Sequence, residues 1–309
     1  MTIEYPPPAG HPDRPLVSII TVVKNGALRL EETIKSVVRQ TYSPIEYLII
    51  DGKSSDGTVG IVENYSALVA HFVSEADTGI YDAINKGILA STGSFVCTLH
   101  AADRFSPTAI EQMVKATNCF PHSIVYTDCF YGEQPIEAPE PISPAFNLYN
   151  MAISHQSLMV PACLYRHSVG LYRTDFRIVS DHIWMRAAFN KGIPFHRVRE
   201  KLLRIDDTGL SSGKGSTDRD VFESEAVRRV QLEFPFVISA VGRSIYRLRF
   251  SDEPLEEIND WLAMLHTDTR IPEQDKCRFT LSLEDYVRRV CARRRAAVKN
   301  GYATHPGAL

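Results

Sequence analysis

Cysteine is sparse and scattered: six in 309 residues, at Cys97, Cys119, Cys129, Cys163, Cys277 and Cys291, with no C-x-x-C pair. That spacing excludes a zinc ribbon or a dithiol redox motif. A chain of this length buries enough surface to need no disulfide staples, so reduced thiols in a cytoplasm are expected. A basic excess is also missing. The formal net charge is −3, which argues against a general nucleic-acid binder. No run reaches the roughly 18 apolar residues of a membrane span. The opening "MTIEYPPPAGHPDRP" has neither the basic start nor the apolar core of a signal peptide, and residues 1–15 are expected to form an extended leader. Glycine is scarce where a phosphate loop would need it. "VVKNGALRL" holds one glycine and fits neither G-x-G-x-x-G nor G-x-x-x-x-G-K-[ST]. G-x-S-x-G is absent, which removes the commonest hydrolase reading.

What is present is an alternation of short β-rich runs and helical patterns from Leu16 onward. Strands are expected at 16–25, 45–51, 70–77, 94–99 and 123–132, and helices at 28–42, 56–68, 80–91 and 106–120. On the first helix Leu30, Ile34, Val37 and Val38 share one face. Asp56 is read as a helix cap, and Ser106 with Pro107 as a helix start. After Gly132 a proline-rich loop is expected. It is followed by a strand to Val160, a short helix near 163–169, a helix over 181–191 and a strand over 195–206. Such alternation means βαβ units and a mostly parallel, Rossmann-like sheet with helices on both faces. In these sheets ligands bind at the carboxyl ends of the strands. Strand two ends at Asp51, strand three at Asp77 and strand four at Asp103, so three strands deliver a carboxylate to one crevice. Carboxylates there suit a divalent metal bridging phosphates, or hydrogen bonds to a nucleoside.

The block "VSIITVVKNGALRLEETIKSVVRQTYSPIEYLIIDGKSSDGT" resembles the opening of family 2 glycosyltransferases of the GT-A fold. "SEADTGIYDAINKGILASTGSFVCTLHAAD" is similar to the next block, particularly in bacterial polysaccharide and capsule enzymes. "SHQSLMV" and "FRIVSDHIWMRAA" resemble the acceptor-side blocks, and "TGLSS" the loop that follows. The resemblance covers about residues 16–215, in order. It implies a glycosyltransferase domain over 16–218, inverting transfer from a nucleotide sugar, typically a UDP-sugar, and use of Mg²⁺ or Mn²⁺.

Carried over residue by residue, Asp51 matches the nucleobase-binding strand-end aspartate, though Gly52 stands where many relatives have a second one. Asp77 matches a position near ribose and base. Asp82, Asn85 and Lys86 share a helix face, which would present a cation and an amide to the donor; an i,i+4 ion pair between Asp82 and Lys86 is the competing reading. Asp103 matches the metal-binding carboxylate of a D-x-D-type motif whose penultimate aspartate is here Ala102. His100 is a candidate second metal ligand. Asp181 matches the catalytic base, with a helix N-cap as its simpler reading. His155, Gln156 and Trp184 are assigned to the acceptor and sugar pocket, with simple packing of the helix as the preferred reading of Trp184, and Gly209, Ser211 and Ser212 to a lid over the diphosphate.

Residues 219–309 are read as a helical extension. "YVRRVCARRRAAVK" and "FVISAVGRSIYRLRF" are basic and apolar by turns. They suggest peripheral contact with an anionic membrane at its cytoplasmic face, which would suit a lipid-linked acceptor, a glycan being the other acceptor class; a solvated helix packed on the core is the competing and preferred reading. The alternative raised by Ala102 is a catalytically impaired sugar-nucleotide-binding scaffold or regulatory partner. The survival of Asp51, Asp103 and Asp181 together favours the enzyme.

Overall fold

The computed structural model describes residues 10–11, 14–120, 122–139, 153–206, 216–247 and 256–299. Two compact units divide the chain, Met1–Glu140 with Ile153–Asp207 and Pro141–Ala152 with Thr208–Leu309.

The first unit is built on one nine-stranded sheet. Its strands are β1 (Val17–Val23), β2 (Ile45–Asp51), β3 (His71–Ser74), β4 (Phe95–His100), β5 (Arg104–Phe105), β6 (Ile124–Tyr131), β7 (Gln134–Ile136), β8 (Leu158–Pro161) and β9 (Phe195–Ile205). Its helices are α1 (Leu30–Val38), α2 (Thr58–Glu63), α3 (Ile80–Ala90), α4 (Ala109–Cys119) and α5 (Ser180–Asn190). The order across the sheet is β3-β2-β1-β4-β8-β6-β9-β5, with β7 paired to β6. Strands β1 to β4 pair in parallel, as the βαβ pattern requires. Strand β1 is buried along its whole length, which is why "VSIITVV" shows no polar alternation: a parallel strand covered on both faces reads as a continuous β-branched run. Ile19 belongs to the cluster that α1, α2 and α4 pack against. Ile20 faces the other way, onto α3, where a Cβ at Gly87 would sit 2.4 Å from its Cγ2. That glycine lets helix and strand approach closely.

The second half of the sheet is mixed. Strand β8 lies antiparallel between β4 and β6, so the fifth expected strand does not join the fourth directly. Strand β7 forms an antiparallel pair with β6, in a stretch expected to be loop. Local details also shift. Val38 is 43% exposed, and Thr33 takes its place in the buried stripe of α1. Helix α2 stops at Glu63, with a separate single turn at Ser66–Leu68. Helix α4 is preceded by Thr108 rather than Ser106.

The second unit is helical: α6 (Ser216–Glu233), α7 (Ser239–Arg247), α8 (Glu256–Thr267) and α9 (Glu273–Lys299). Its core gathers Phe234, Val237, Ile245, Tyr246, Phe279, Leu283 and Tyr286. Of the described apolar residues of "FVISAVGRSIYRLRF", Phe236, Val237, Val241, Ile245 and Tyr246 lie in or against this core, while Ile238 is exposed. Of the other basic segment, the side chains from Arg289 onward lie outside the described residues. No described helix is long and apolar enough to cross a membrane.

Candidate active site

The parallel register sets the edge on which the site is built. Val23 pairs with Asp51, Asp51 with Ser74, and Val22 with His100. The carboxyl ends of β1 to β4 are therefore level, and the loops after them run out together. Three of these loops hold a non-glycine residue at positive φ: Asn25 (52°), Lys53 (59°) and Ala102 (89°). Such conformations cost about 1–2 kcal/mol each and cluster at functional sites.

Asp51 is fully buried. Its carboxylate accepts from the Ser54 backbone N–H at 2.9 Å, from the Ser54 hydroxyl, and from the Ser74 hydroxyl at 2.5 Å. Next to it, Gly52 leaves room for Asp77: a Cβ at position 52 would stand 2.3 Å from Asp77 Oδ2 and 3.3 Å from Lys24 Cδ. The missing second aspartate of "IIDGKSSDGT" is thus matched by a carboxylate arriving from the next strand's loop. Asp77 Oδ1 also accepts the Gly79 N–H. Gly57, not Asp56, is the N-cap of α2; Asp56 precedes it and takes the N–H groups of Thr58 and, from the loop after β1, Ala27.

The helix α3 residues separate into different roles. Lys86 pairs with Glu75 at 2.8 Å, with Asp82 at 3.6 Å, and donates to the Ala76 carbonyl. Asp82 accepts the Thr78 N–H. Asn85 faces inward and is consumed by Tyr172, giving its Nδ2–H to that residue's carbonyl at 2.8 Å and taking its N–H at 2.9 Å. The expected donor-binding amide is instead a clip between α3 and the segment before α5.

Asp103 lies on the loop after β4 and is 3% exposed. Thr33 on α1 holds that loop, accepting the Ala102 N–H and donating to the Asp103 carbonyl, both at 2.9 Å. This clamp supports the left-handed turn at Ala102, whose methyl group offers no hydrogen bond of its own. The Asp103 carboxylate accepts the Asp206 N–H at 2.9 Å and the Gln156 amide at 3.3 Å. Burial pushes its pKa up to about 7.

His100 is not placed as a metal ligand. Its Nε2 lies 2.9 Å from His155 Nε2, and its Nδ1 3.2 Å from Gln156 Nε2. Burial, with His155 beside it, drives its pKa well below the usual histidine range. Both ring nitrogens are taken. Among the described residues no group of three or more His, Cys, Asp or Glu forms a metal cage. A single carboxylate still fits Mg²⁺ or Mn²⁺, because such ions keep several waters and are held by one or two carboxylates plus substrate phosphates.

Asp181 is 2% exposed and sits second in α5, inside its first turn rather than at the cap. Its Oδ1 lies 2.9 Å from the Tyr81 hydroxyl and accepts the His182 N–H at 2.7 Å. Its Oδ2 lies 2.7 Å from His155 Nδ1, a close contact in which the ring N–H is not aligned as a hydrogen bond. Asp181, His155, His100, Gln156 and Asp103 therefore form one continuous string, buried except at His100, which is half-buried. His155 and Gln156 lie within it, between the two acids.

Trp184 is buried in an aromatic cluster with Tyr165 and Tyr172, at ring separations of 4.6 and 5.8 Å, and its indole donates to the Gly170 carbonyl. It packs the fold and is not free to stack on a sugar. Gly209, Ser211 and Ser212 lie outside the described residues. Sequence reasoning missed Tyr81, Thr33 and the Arg29–Asp206 ion pair beside Asp103. Nothing in the spacing of these residues marks their partners.

The model of the family described as glycosyl transferase family 2 matches residues 18–191. The chain belongs to that family. It is 34% identical over 205 residues to an uncharacterized glycosyltransferase of Mycobacterium tuberculosis, covering 64% of this chain and 78% of the relative. It is 27% identical over 174 residues to a PGL/p-HBAD biosynthesis glycosyltransferase of Mycobacterium bovis, covering 54% and 67%. In fold it is similar to Staphylococcus aureus TarS 1–349 in complex with UDP-GlcNAc, with a TM-score of 0.60 and 14% identity over 94% of this chain and 93% of that one. It is also similar to the mannosyltransferase of Pyrobaculum calidifontis in complex with GDP-Man and Mn²⁺, with a TM-score of 0.53 and 16% identity over 90% and 86%. The family 2 chain thus has the GT-A glycosyltransferase fold.

Proposed function

We propose that this glycosyltransferase moves a sugar, with inversion, from a UDP-sugar to a hydroxyl of a glycan or lipid-linked acceptor in cell-surface polysaccharide biosynthesis. The observation that carries the reading is the string of side-chain contacts that joins Asp103 on the loop after β4 to Asp181 on α5. A metal-dependent transferase needs a carboxylate at the donor diphosphate and a base at the acceptor. The two acids at the ends of this string supply that pair.

Asp51, with Asp77 beside it across Gly52, would hold the nucleoside. Asp103 would hold Mg²⁺ or Mn²⁺, which when bound would supply positive charge to offset that of the leaving diphosphate. Asp181 would accept the proton of the acceptor hydroxyl. The acceptor oxygen then bonds to the anomeric carbon as the bond from that carbon to the diphosphate oxygen breaks, and the electron pair leaves with the nucleoside diphosphate. The M. bovis relative, named a PGL/p-HBAD biosynthesis glycosyltransferase, supports a biosynthetic role.

The test is a panel of UDP- and GDP-sugars with Mn²⁺, followed by release of nucleoside diphosphate and by product anomericity. Transfer should fall by about 10²-fold or more in Asp181→Asn, while UDP binding persists. Near-wild-type transfer by that variant would remove Asp181 from the base role. Retained anomeric configuration would overturn the inverting mechanism.

A further inference from the structure

We infer that His155 is the positioning residue of the base: its Nδ1 side holds Asp181 for proton abstraction, and His100 holds His155 in the tautomer that does so. The inference rests on Asp181 being the base.

The geometry leaves little choice of proton arrangement. Only one proton fits between the two Nε2 atoms, 2.9 Å apart. The Gln156 amide nitrogen donates toward His100 Nδ1 and toward Asp103 Oδ2, while its oxygen accepts from Ser154. With Gln156 so oriented, His100 Nδ1 is an acceptor. A neutral His100 then carries its proton on Nε2 and donates it to His155 Nε2. A neutral His155 must carry its own proton on Nδ1, the atom 2.7 Å from Asp181 Oδ2. Each hydrogen bond sets the proton of the next member, and the last link, to Asp181, is a close 2.7 Å electrostatic contact rather than an aligned hydrogen bond. The string ends at the base because the Gln156 amide is anchored at the other end. A histidine's free nitrogen is defined by the bond its other nitrogen makes.

The fold supplies the registry. Strand β8 pairs antiparallel with β4 so that Met159 faces Cys97 and Val160 faces Val96. Continued toward the start of β8, the same register brings Gln156 level with His100. The turn His155–Ser157 that precedes β8 is thereby set beside the end of β4. The ring of His155 is 7% exposed and lies 4.8 Å from that of His100. It is enclosed by side chains, so its effect on the reaction runs through Asp181 rather than through substrate.

Three variants separate the two nitrogens of His155. The amide nitrogen of Asn mimics Nδ1, that of Gln mimics Nε2, and Ala has neither. With the nucleotide sugar that the panel identifies, His155→Ala should lose about 10²-fold in kcat with donor KM within about twofold. His155→Asn should recover about tenfold of that loss, and His155→Gln should not. UDP binding in the presence of Mn²⁺ checks that each variant is folded at the donor side. Equal loss in the Asn and Gln variants would overturn the inference, as would a loss confined to KM.

A double variant separates this idea from the base assignment. In an Asp181→Asn background, His155→Ala should cost less than about twofold further, because its route to the reaction is already gone. If the two losses multiply while Asp181→Asn alone is severely impaired, the base reading stands and the positioning role falls. If Asp181→Asn is active, the base reading itself fails. If the Asp181→Asn rate is too low to follow, the Asn and Gln comparison decides.

Discussion

The hydroxyl of Tyr81 on α3 lies 2.9 Å from Oδ1 of Asp181 on α5, and 2.5 Å from the carbonyl of Ile178. Its single proton serves one oxygen at a time, so the acid is steadied by a group whose attention is divided. Tyr81→Phe keeps the ring packing and removes that donor. Losing a buried hydrogen-bond partner costs about 1–3 kcal/mol. The expected outcome is a lower Tm together with a roughly tenfold lower kcat, at unchanged UDP affinity. Thermal unfolding and steady-state rates on one preparation check it.

Gly52 and Asp77 make a second pair with a defined consequence. A methyl group at position 52 would meet the Asp77 carboxylate at 2.3 Å. Asp77 is a half-exposed loop side chain and can swing away cheaply, so Gly52→Ala should change stability by less than about 1 kcal/mol. If Asp77 contacts the nucleoside, the same variant should weaken UDP binding by about tenfold, the equivalent of one lost hydrogen bond. Calorimetric titration with UDP reads this directly. Unchanged affinity would remove Asp77 from the donor site.

The pH dependence turns on Asp103. Burial raises its carboxyl from the ordinary aspartate range to about 7 in the folded, metal-free chain. A group whose folded pKa lies above its unfolded value stabilises fully below the unfolded value and loses that contribution as pH rises through the folded one. Metal-free protein should therefore lose stability between about pH 4 and 7 by this route. In Asp103→Asn that component of the slope should vanish. A divalent cation favours the ionised form, so Mn²⁺ with UDP should bind more tightly as pH approaches 7 and level off above it. Melting curves across this range, wild type against variant, check the sign.

Asn85 decides between a donor contact and a clip. Both ends of its amide are bound to the backbone of Tyr172. Asn85→Ala leaves a buried N–H and a buried carbonyl without those partners, at a cost of about 2–4 kcal/mol. Tm should drop by several degrees, while donor KM of the folded fraction stays within about twofold. A large rise in KM with little change in Tm would restore the donor role.

Much of this was legible in the chain. The apolar run of β1, the buried Leu30, Ile34 and Val37 of α1, and the βαβ alternation all follow from local patterning. Asp51 ends its strand as the pattern required, and Asp103 follows β4 on the same edge. Strand ends were less legible. β3 closes at Ser74, three residues before Asp77, because pairing with β2 ends at Asp51. Three side chains meet partners that the sequence did not name. His100 spends both nitrogens on neighbours, Asn85 turns inward, and Trp184 is walled in by tyrosines.

The amino-acid sequence by itself determined the family, the parallel half of the sheet and the carboxylates at its edge, because these depend on local periodicity and on ordered motifs. Only the tertiary structure decided what those carboxylates touch. Strand β8 enters antiparallel between β4 and β6, partners that precede it in the chain by dozens of residues, and no local signal names the strand it will pair with. That one non-local pairing carries His155 and Gln156 to His100, and so joins Asp103 to Asp181.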